Sequence, residues 1–222
     1  MDQFPPYPGD LLHLERFRAQ QQPYFAVEPA RSTAVVLGCG TPSDPDLRLD
    51  RCLADGIPVY RRRGGGGAVV LAPGVVVITG CFPAVPGRFP DAWAKRLVSL
   101  VGKALAQSLS PAPGCPLSAV PRLFPRGLGD LCFLPPGSSA ERKVLGSSLY
   151  LAKDVVLYQA SLLYRADLSL LPRYLGPPSR PPDYRRGRDH LAFVANLPAG
   201  CRLAPDRLEV SLNLLLAALL AV

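Results

Sequence analysis

Two short segments carry residue types that could do chemistry. In Arg61-Arg62-Arg63-Gly64-Gly65-Gly66-Gly67-Ala68-Val69-Val70, three guanidinium groups run into a stretch without side chains. Missing Cβ atoms let a backbone approach a ligand closely. Successive N–H groups in such turns can form an anion nest, and arginine offers a planar fork suited to phosphate or carboxylate. The same residues would equally make a flexible turn beside a solvated arginine patch. The segment is neither a P-loop nor a dinucleotide fingerprint, because no Gly-Lys-Ser/Thr occurs and no helix is expected to follow. In Lys143-Val144-Leu145-Gly146-Ser147-Ser148, a lysine opens a strand that soon carries a glycine and two hydroxyls. An ammonium placed between two anions would relieve their repulsion. An exposed lysine at a strand edge is the alternative.

The composition sets the weight of these residues. Only four of the 25 basic residues are lysines, and Pro 26 and Gly 20 complete a whole-chain bias, so an arginine says little and a lysine rather more. Of the 222 residues, 48% are hydrophobic and 19% charged, which suits one folded domain over 1–222 and argues against wholesale disorder. A net charge of +8 and a pI ≈ 9.4 suit an acidic partner, an anionic ligand or nucleic acid without choosing among them. None of Cys39, Cys52, Cys81, Cys115, Cys132 and Cys201 forms a CxxC pair, and His13 and His190 lie far apart, so a protein-ligated zinc is not expected. The N-terminus MDQFPPYPGD shows no signal peptide, and no apolar run reaches membrane length. A cytoplasmic protein with reduced thiols is expected.

The elements that must position the two segments follow from periodicity and punctuation. Helices are predicted over Gly9–Gln21, Leu47–Asp55, Asp91–Leu109, Leu168–Leu175 and Asp206–Val222. The run Trp93, Leu97, Leu100, Val101, Ala104, Leu105 makes the third the clearest. Strands are predicted over Thr33–Gly38, Ile57–Arg62, Ala68–Leu71, Val75–Cys81, Leu128–Leu134, Lys143–Leu151 and Val155–Tyr164. The pair around Pro73-Gly74 has the look of a hairpin. Cys39–Asp46 is turn-rich, Pro111–Pro125 is a proline-rich loop, and Gly176–Arg188 (GPPSRPPDYRRGR) is an extended basic loop without regular structure. Strands mixed with helices and hairpins indicate an α+β fold.

Taken together, the two segments resemble the lipoate–protein ligase family, related to biotin–protein ligases. The pattern there is Arg-Arg-Ser-Gly-Gly-Gly before a strand, then Lys-x-x-Gly-Ser/Asn-Ala. Arg62-Arg63-Gly64-Gly65-Gly66-Gly67 fills the first and Lys143-Val144-Leu145-Gly146-Ser147-Ser148 the second. The match continues through Lys153-Asp154, Ser161-Leu162-Leu163 and Ala166-Asp167-Leu168-Ser169, and upstream at Val35-Val36-Leu37-Gly38 and Gly56-Ile57-Pro58-Val59. The tail around 178–188 is similar to a single-domain branch of that family, without an accessory C-terminal domain.

The resemblance implies a mixed, largely antiparallel sheet flanked by helices, of the biotin/lipoyl ligase type shared with class II aminoacyl-tRNA synthetases. It implies a two-step reaction: lipoate and ATP give lipoyl-adenylate, and a lysine of a lipoyl carrier domain captures the acyl group. Lys143 would bridge the carboxylate and the α-phosphate. ATP or the adenylate would lie against Arg62, Gly65, Gly66, Gly67, Ala68, Val69, Val70 and Lys143, with Mg²⁺ offsetting pyrophosphate charge. Lipoate would lie against Val69, Val77, Lys143, Leu145 and Gly146, of which Val69, Val77 and Leu145 could equally be ordinary core. Asp130 would help with nucleotide or metal, or be an exposed turn acid. The expected partners are a carrier domain of the dehydrogenase E2 or glycine-cleavage H-protein type and a separate accessory chain; neither membrane nor nucleic acid is expected.

The chain departs from the family pattern at Leu71, where a histidine is frequent, at Tyr158-Gln159-Ala160-Ser161, where the pattern is His-His-Gly-Thr, and at Gly64 and Ser148. An ATP-independent octanoyl or lipoyl transferase on the same fold stays open, with Cys115 or Cys132 as nucleophile. So does a non-catalytic basic binding protein that uses Arg180, Arg185, Arg186 and Arg188 around Tyr184. His190 reads as a surface or capping residue.

Overall fold

The structure, a computed structural model, describes residues 4–41, 45–84 and 90–221. Residues 1–3, residues 42–44 of the expected turn-rich stretch, and Val222 at the end of the expected last helix lie outside the described residues. In chain order the elements are α1 (Pro8–Gln20), β1 (Tyr24–Pro29), β2 (Ala34–Leu37), α2 (Leu49–Ala54), β3 (Val59–Arg61), β4 (Val69–Leu71), β5 (Val75–Pro83), α3 (Pro90–Ser108), β6 (Leu109–Pro111), β7 (Phe124–Arg126), β8 (Asp130–Phe133), β9 (Arg142–Leu151), β10 (Val155–Leu163), α4 (Leu170–Tyr174), α5 (His190–Phe193), β11 (Cys201–Leu203) and α6 (Pro205–Leu220).

The main sheet has six strands in the order β1-β5-β10-β9-β8-β7, every pair antiparallel. A small sheet of order β3-β2-β4 pairs β2 parallel to β3 and antiparallel to β4. The α+β fold, with a largely antiparallel sheet and flanking helices, is therefore present. The expected hairpin around Pro73-Gly74 is not. Val75 N–H donates to Ala72 O in a turn, but β4 then pairs with β2 and β5 with β1 and β10, so the chain changes sheet there. The periodicity does not predict β1, α5 or the short pair β6–β11; the expected loop Pro111–Pro125 contains a 3-10 turn at Leu117–Ala119 and runs into β7, and the basic loop contains a 3-10 turn at Asp183–Arg185.

Period-two alternation on the central strand β10 divides the molecule. Val156, Tyr158, Ala160 and Leu162 face a core shared with Trp93, Leu97, Val101 and Leu105 of α3 and Leu208, Leu212 and Leu216 of α6. On the other face, Val155 and Leu157 pack under Leu14 and Phe17 of α1. Further along that face, Gln159, Ser161 and Leu163 line a cleft with the small sheet on its far side. Among the described residues no helix is long and apolar enough to cross a membrane.

Candidate active-site cleft

The glycine segment is shaped from behind by an arginine. Arg62 is buried, and its guanidinium donates to Gly65 O (2.8 Å), Gly67 O (2.8 Å) and Val36 O (3.3 Å). Gly66 O accepts from Thr41 Oγ1 at 2.6 Å and Gly64 O from Cys39 N at 2.9 Å. In a trans peptide the N–H opposes the C=O, so tying down these carbonyls turns the amides of residues 65–68 the other way. Gly66 adopts φ +87°, in the left-handed region where a side chain is strained. Burial pushes the Arg62 pKa down to about 10, which leaves it charged at neutral pH beside the buried carboxylate of Asp10. The neighbouring guanidiniums are also turned to the protein: Arg61 donates to Gly38 O and Thr41 O, and Arg63 lies over the Tyr150 ring at 5.6 Å. The anion-attracting surface of this segment is thus its backbone, with Arg62 as the charge that organises it.

Lys143 reaches the same cleft through an irregularity in the sheet. In a regular strand, residues three apart point to opposite faces, so Lys143 and Gly146 would be separated. The β8–β9 ladder shifts register here: Cys132 pairs with Lys143, Leu131 with Leu145 and Asp130 with Gly146. Val144 is the extra residue of a bulge, which reverses the alternation. Lys143, Gly146 and Asp130 therefore share the cleft face. The lysine then lies across the glycine: a Cβ on Gly146 would stand 2.7 Å from Lys143 Nζ. Lys143 Nζ pairs with Asp130 Oδ1 at 2.7 Å, both side chains half-buried. Transverse to the strands, Asp130, Gly146, Ser161 and Val77 are successive direct partners, so one row of the sheet runs from the ion pair to an apolar end.

The basic loop forms a third wall. Gly176 N donates to Asp46 O at 3.1 Å and Ser179 N to Asp46 Oδ1 at 2.8 Å. Tyr184 O–H donates to Asp130 Oδ2 at 2.5 Å. Arg188 donates to Glu141 O (2.6 Å) and Tyr184 O (2.9 Å), while Arg185 and Arg188 both stack on Phe193. His190 is half-buried in the cleft wall, donating to Gly176 O at 2.9 Å, with burial holding its pKa below the ordinary range. The side chain that caps α5 is that of Asp189, which accepts from Ala192 N.

The resulting cleft measures ≈ 1210 Å³. Of the expected site residues, Arg62, Gly66, Gly67, Ala68, Val69, Val70, Val77, Asp130, Lys143, Leu145 and Gly146 all line it. Gly65 does not; its carbonyl is the one Arg62 holds with both Nε and Nη2. Leu145 is fully buried and its side chain belongs to the core under α3, the ordinary-core alternative, whereas Val69 and Val77 are partly open to the cleft. Leu71 is buried in the lining. Tyr158 faces the α3 core instead, and alternation gives the cleft Gln159 and Ser161. Asp130 is no loose turn acid but the carboxylate that holds Lys143. Tyr184, Gln159 and Ser161 went unassigned to this site in the sequence, because only the register and the loop path bring them in. Neither Cys115 nor Cys132 lines the cleft. Cys132 is sealed in the sheet, where burial pushes its thiol up to about 11. Among the described residues no three His, Cys, Asp or Glu side chains converge to hold a metal ion.

This geometry can be set beside known proteins. The family model of the lipoyl protein ligase A/B catalytic domain matches residues 10–210. A bipartite lipoate protein ligase from Thermoplasma acidophilum, described with its E2 lipoyl domain, is 21% identical, with a TM-score of 0.66 over 90% of this chain and 73% of that one. A lipoate-protein ligase A solved with bound ATP is 19% identical, with a TM-score of 0.60 over 94% of this chain and 80% of that one. A second T. acidophilum structure, solved with bound lipoic acid, is 18% identical, with a TM-score of 0.61 over 94% and 78%. At these identities the likeness to solved structures is one of fold. No curated protein matches the chain.

Proposed function

The chain belongs to the lipoyl protein ligase A/B catalytic-domain family, and on that premise we propose that it joins lipoate, or a closely similar acid, to a lysine of a lipoyl carrier domain at the expense of ATP. In the first step a carboxylate oxygen of the acid attacks the α-phosphorus, the bond to the β-phosphate oxygen breaks, and pyrophosphate leaves. In the second, the carrier amine attacks the acyl carbon, AMP leaves, and the amine loses a proton as the amide forms. The first step brings two anions together, so it needs a cation between them.

One observation carries this reading: the Lys143 ammonium lies over Gly146 in the same cleft as the backbone of Gly66–Val70. Entering anions would meet the Lys143 ammonium where Asp130 holds it, in the gap between carboxylate and phosphate. The amides of residues 66–68 would receive phosphate oxygens, with Arg62 fixing their direction and adding its charge. Mg²⁺ would arrive with ATP and take most of its ligands from phosphates and water, with Asp130 as the nearest carboxylate to Lys143. The acyl chain would follow the row from Gly146 past Ser161 to Val77, beside Val69, with Leu71 adding to the apolar lining.

Transfer through a cysteine thioester has less support, since Cys132 is buried with a raised thiol and Cys115 lies elsewhere. Arg185 and Arg188 of the basic loop are engaged by backbone carbonyls and the Phe193 ring, which weakens the reading as a nucleic-acid binder. The test is lipoate-dependent exchange of labelled pyrophosphate into ATP, without carrier. Exchange that requires lipoate is expected. No exchange, together with acyl transfer from octanoyl carrier protein in the absence of ATP, would overturn the proposal.

A further inference from the structure

Tyr184 belongs to neither sequence motif. It sits in the basic loop, yet its hydroxyl ends at Asp130. Asp130 Oδ2 accepts from Tyr184 at 2.5 Å while Asp130 Oδ1 holds Lys143 Nζ at 2.7 Å. A carboxylate gripped at both oxygens cannot turn without breaking both contacts. Tyr184 is itself held on three sides. Its ring packs on Phe193 with centroids 5.3 Å apart, its carbonyl accepts from Arg188 Nη2 at 2.9 Å, and its hydroxyl lies 4.0 Å from Cys132 Sγ. Burial and the charge of Asp130 hold the phenol above its ordinary range, so it stays a proton donor at neutral pH.

We propose that Tyr184 is a positioning residue: through Asp130 it holds the Lys143 ammonium over Gly146, so that the basic loop and the reactive amine are set as one unit. The kinetic consequence rests on the ligase reading above; the positional consequence does not.

The experiment compares wild type, Tyr184→Phe, Asp130→Asn and the double variant. Phenylalanine keeps the ring on Phe193 and removes only the hydroxyl. In lipoate-dependent pyrophosphate exchange, Tyr184→Phe should lower kcat roughly 10-fold, the worth of one charge-assisted hydrogen bond. KM for ATP should stay within about twofold. The double variant should be no slower than Asp130→Asn alone, because both changes break one chain of contacts. In parallel, Lys143 is acetylated in the free protein with a water-soluble reagent and followed by peptide mass spectrometry. An amine paired with a carboxylate is a poor nucleophile, so both single variants should label faster than wild type. Equal labelling rates, additive slowing in the double variant, or a raised KM with unchanged kcat would overturn the proposal. No exchange in wild type would refute the ligase reading instead, and the labelling alone would then decide the role of Tyr184.

Discussion

A single missing methyl group determines where the amine goes. Gly146 leaves room for Lys143 to lie across the strand, and a Cβ there would meet Nζ at 2.7 Å and Cε at 2.8 Å. Gly146→Ala is therefore expected to cut pyrophosphate exchange at least roughly 10-fold while the thermal midpoint moves little, since the side chain it displaces is the flexible end of a lysine. Arg62 works differently. Removing it would leave the carbonyls of Gly65 and Gly67 without donors and the buried Asp10 without its nearby guanidinium. Arg62→Met should cost about 3–5 kcal/mol, read as a lower urea midpoint at unchanged slope, because uncompensated buried polar groups are expensive. The cysteines give a separate check at this scale. Exposed Cys39 should react with iodoacetamide in the native protein before half-buried Cys115, and Cys132 should stay unmodified. Rapid labelling of Cys132 would revive the transferase alternative.

Among the elements, the ones read best from sequence were those with long periodic runs. α3 announced itself through Trp93, Leu97, Leu100, Val101, Ala104 and Leu105, all of which are buried. β1 did not, because Tyr24–Pro29 is a short run that alternates weakly and closes on proline. Its pairing explains two polar residues within the apolar C-terminal helix, Glu209 and Asn213. α6 lies along the open edge of β1, where Glu209 Oε2 accepts from Val27 N at 2.8 Å and Asn213 Oδ1 from Phe25 N at 2.8 Å. Asn213 Nδ2 donates back to Phe25 O at 3.0 Å. Two side chains one helical turn apart thus stand in for a neighbouring strand and protect an edge that would otherwise template further pairing. Asn213→Leu is expected to destabilise by about 1–3 kcal/mol in urea unfolding, and to raise the dimer fraction in sedimentation. The bulge at Val144 was illegible for another reason. Lys-x-x-Gly spacing is compatible with a regular strand until the register with β8 is known, and only the bulge puts both ends of the motif on one face.

At the level of the whole molecule, the cleft is where two sheets meet. The segments that form it are 76 residues apart at Gly67 and Lys143, a separation that periodicity cannot bridge. Residue chemistry marked both segments, and the family resemblance placed them together; the path of the basic loop, and hence Tyr184, needed the fold. Burial of neutral groups also sets a pH response of the whole domain. Folding raises the thiols of Cys81 to about 12 and Cys132 to about 11 from an ordinary 9.0. Between pH 9 and 10 the unfolded chain has given up protons that the folded chain keeps, so the unfolded state binds fewer protons and stability falls as pH rises. The loss should be up to about 1 kcal/mol per thiol, followed as a declining thermal midpoint that Cys132→Ala makes shallower. Above pH 10, Arg62 acts in the opposite sense, because its folded pKa of about 10 lies below the unfolded 12.5. Function is tested most directly by weighing a lipoyl carrier domain after incubation with the protein, lipoate, ATP and Mg²⁺. Wild type should add one acyl group, and Lys143→Ala, folded by circular dichroism, should be slower by roughly 10²–10³-fold, the effect of losing about 3–4 kcal/mol of transition-state stabilisation. Equal modification by the two proteins would contradict the account.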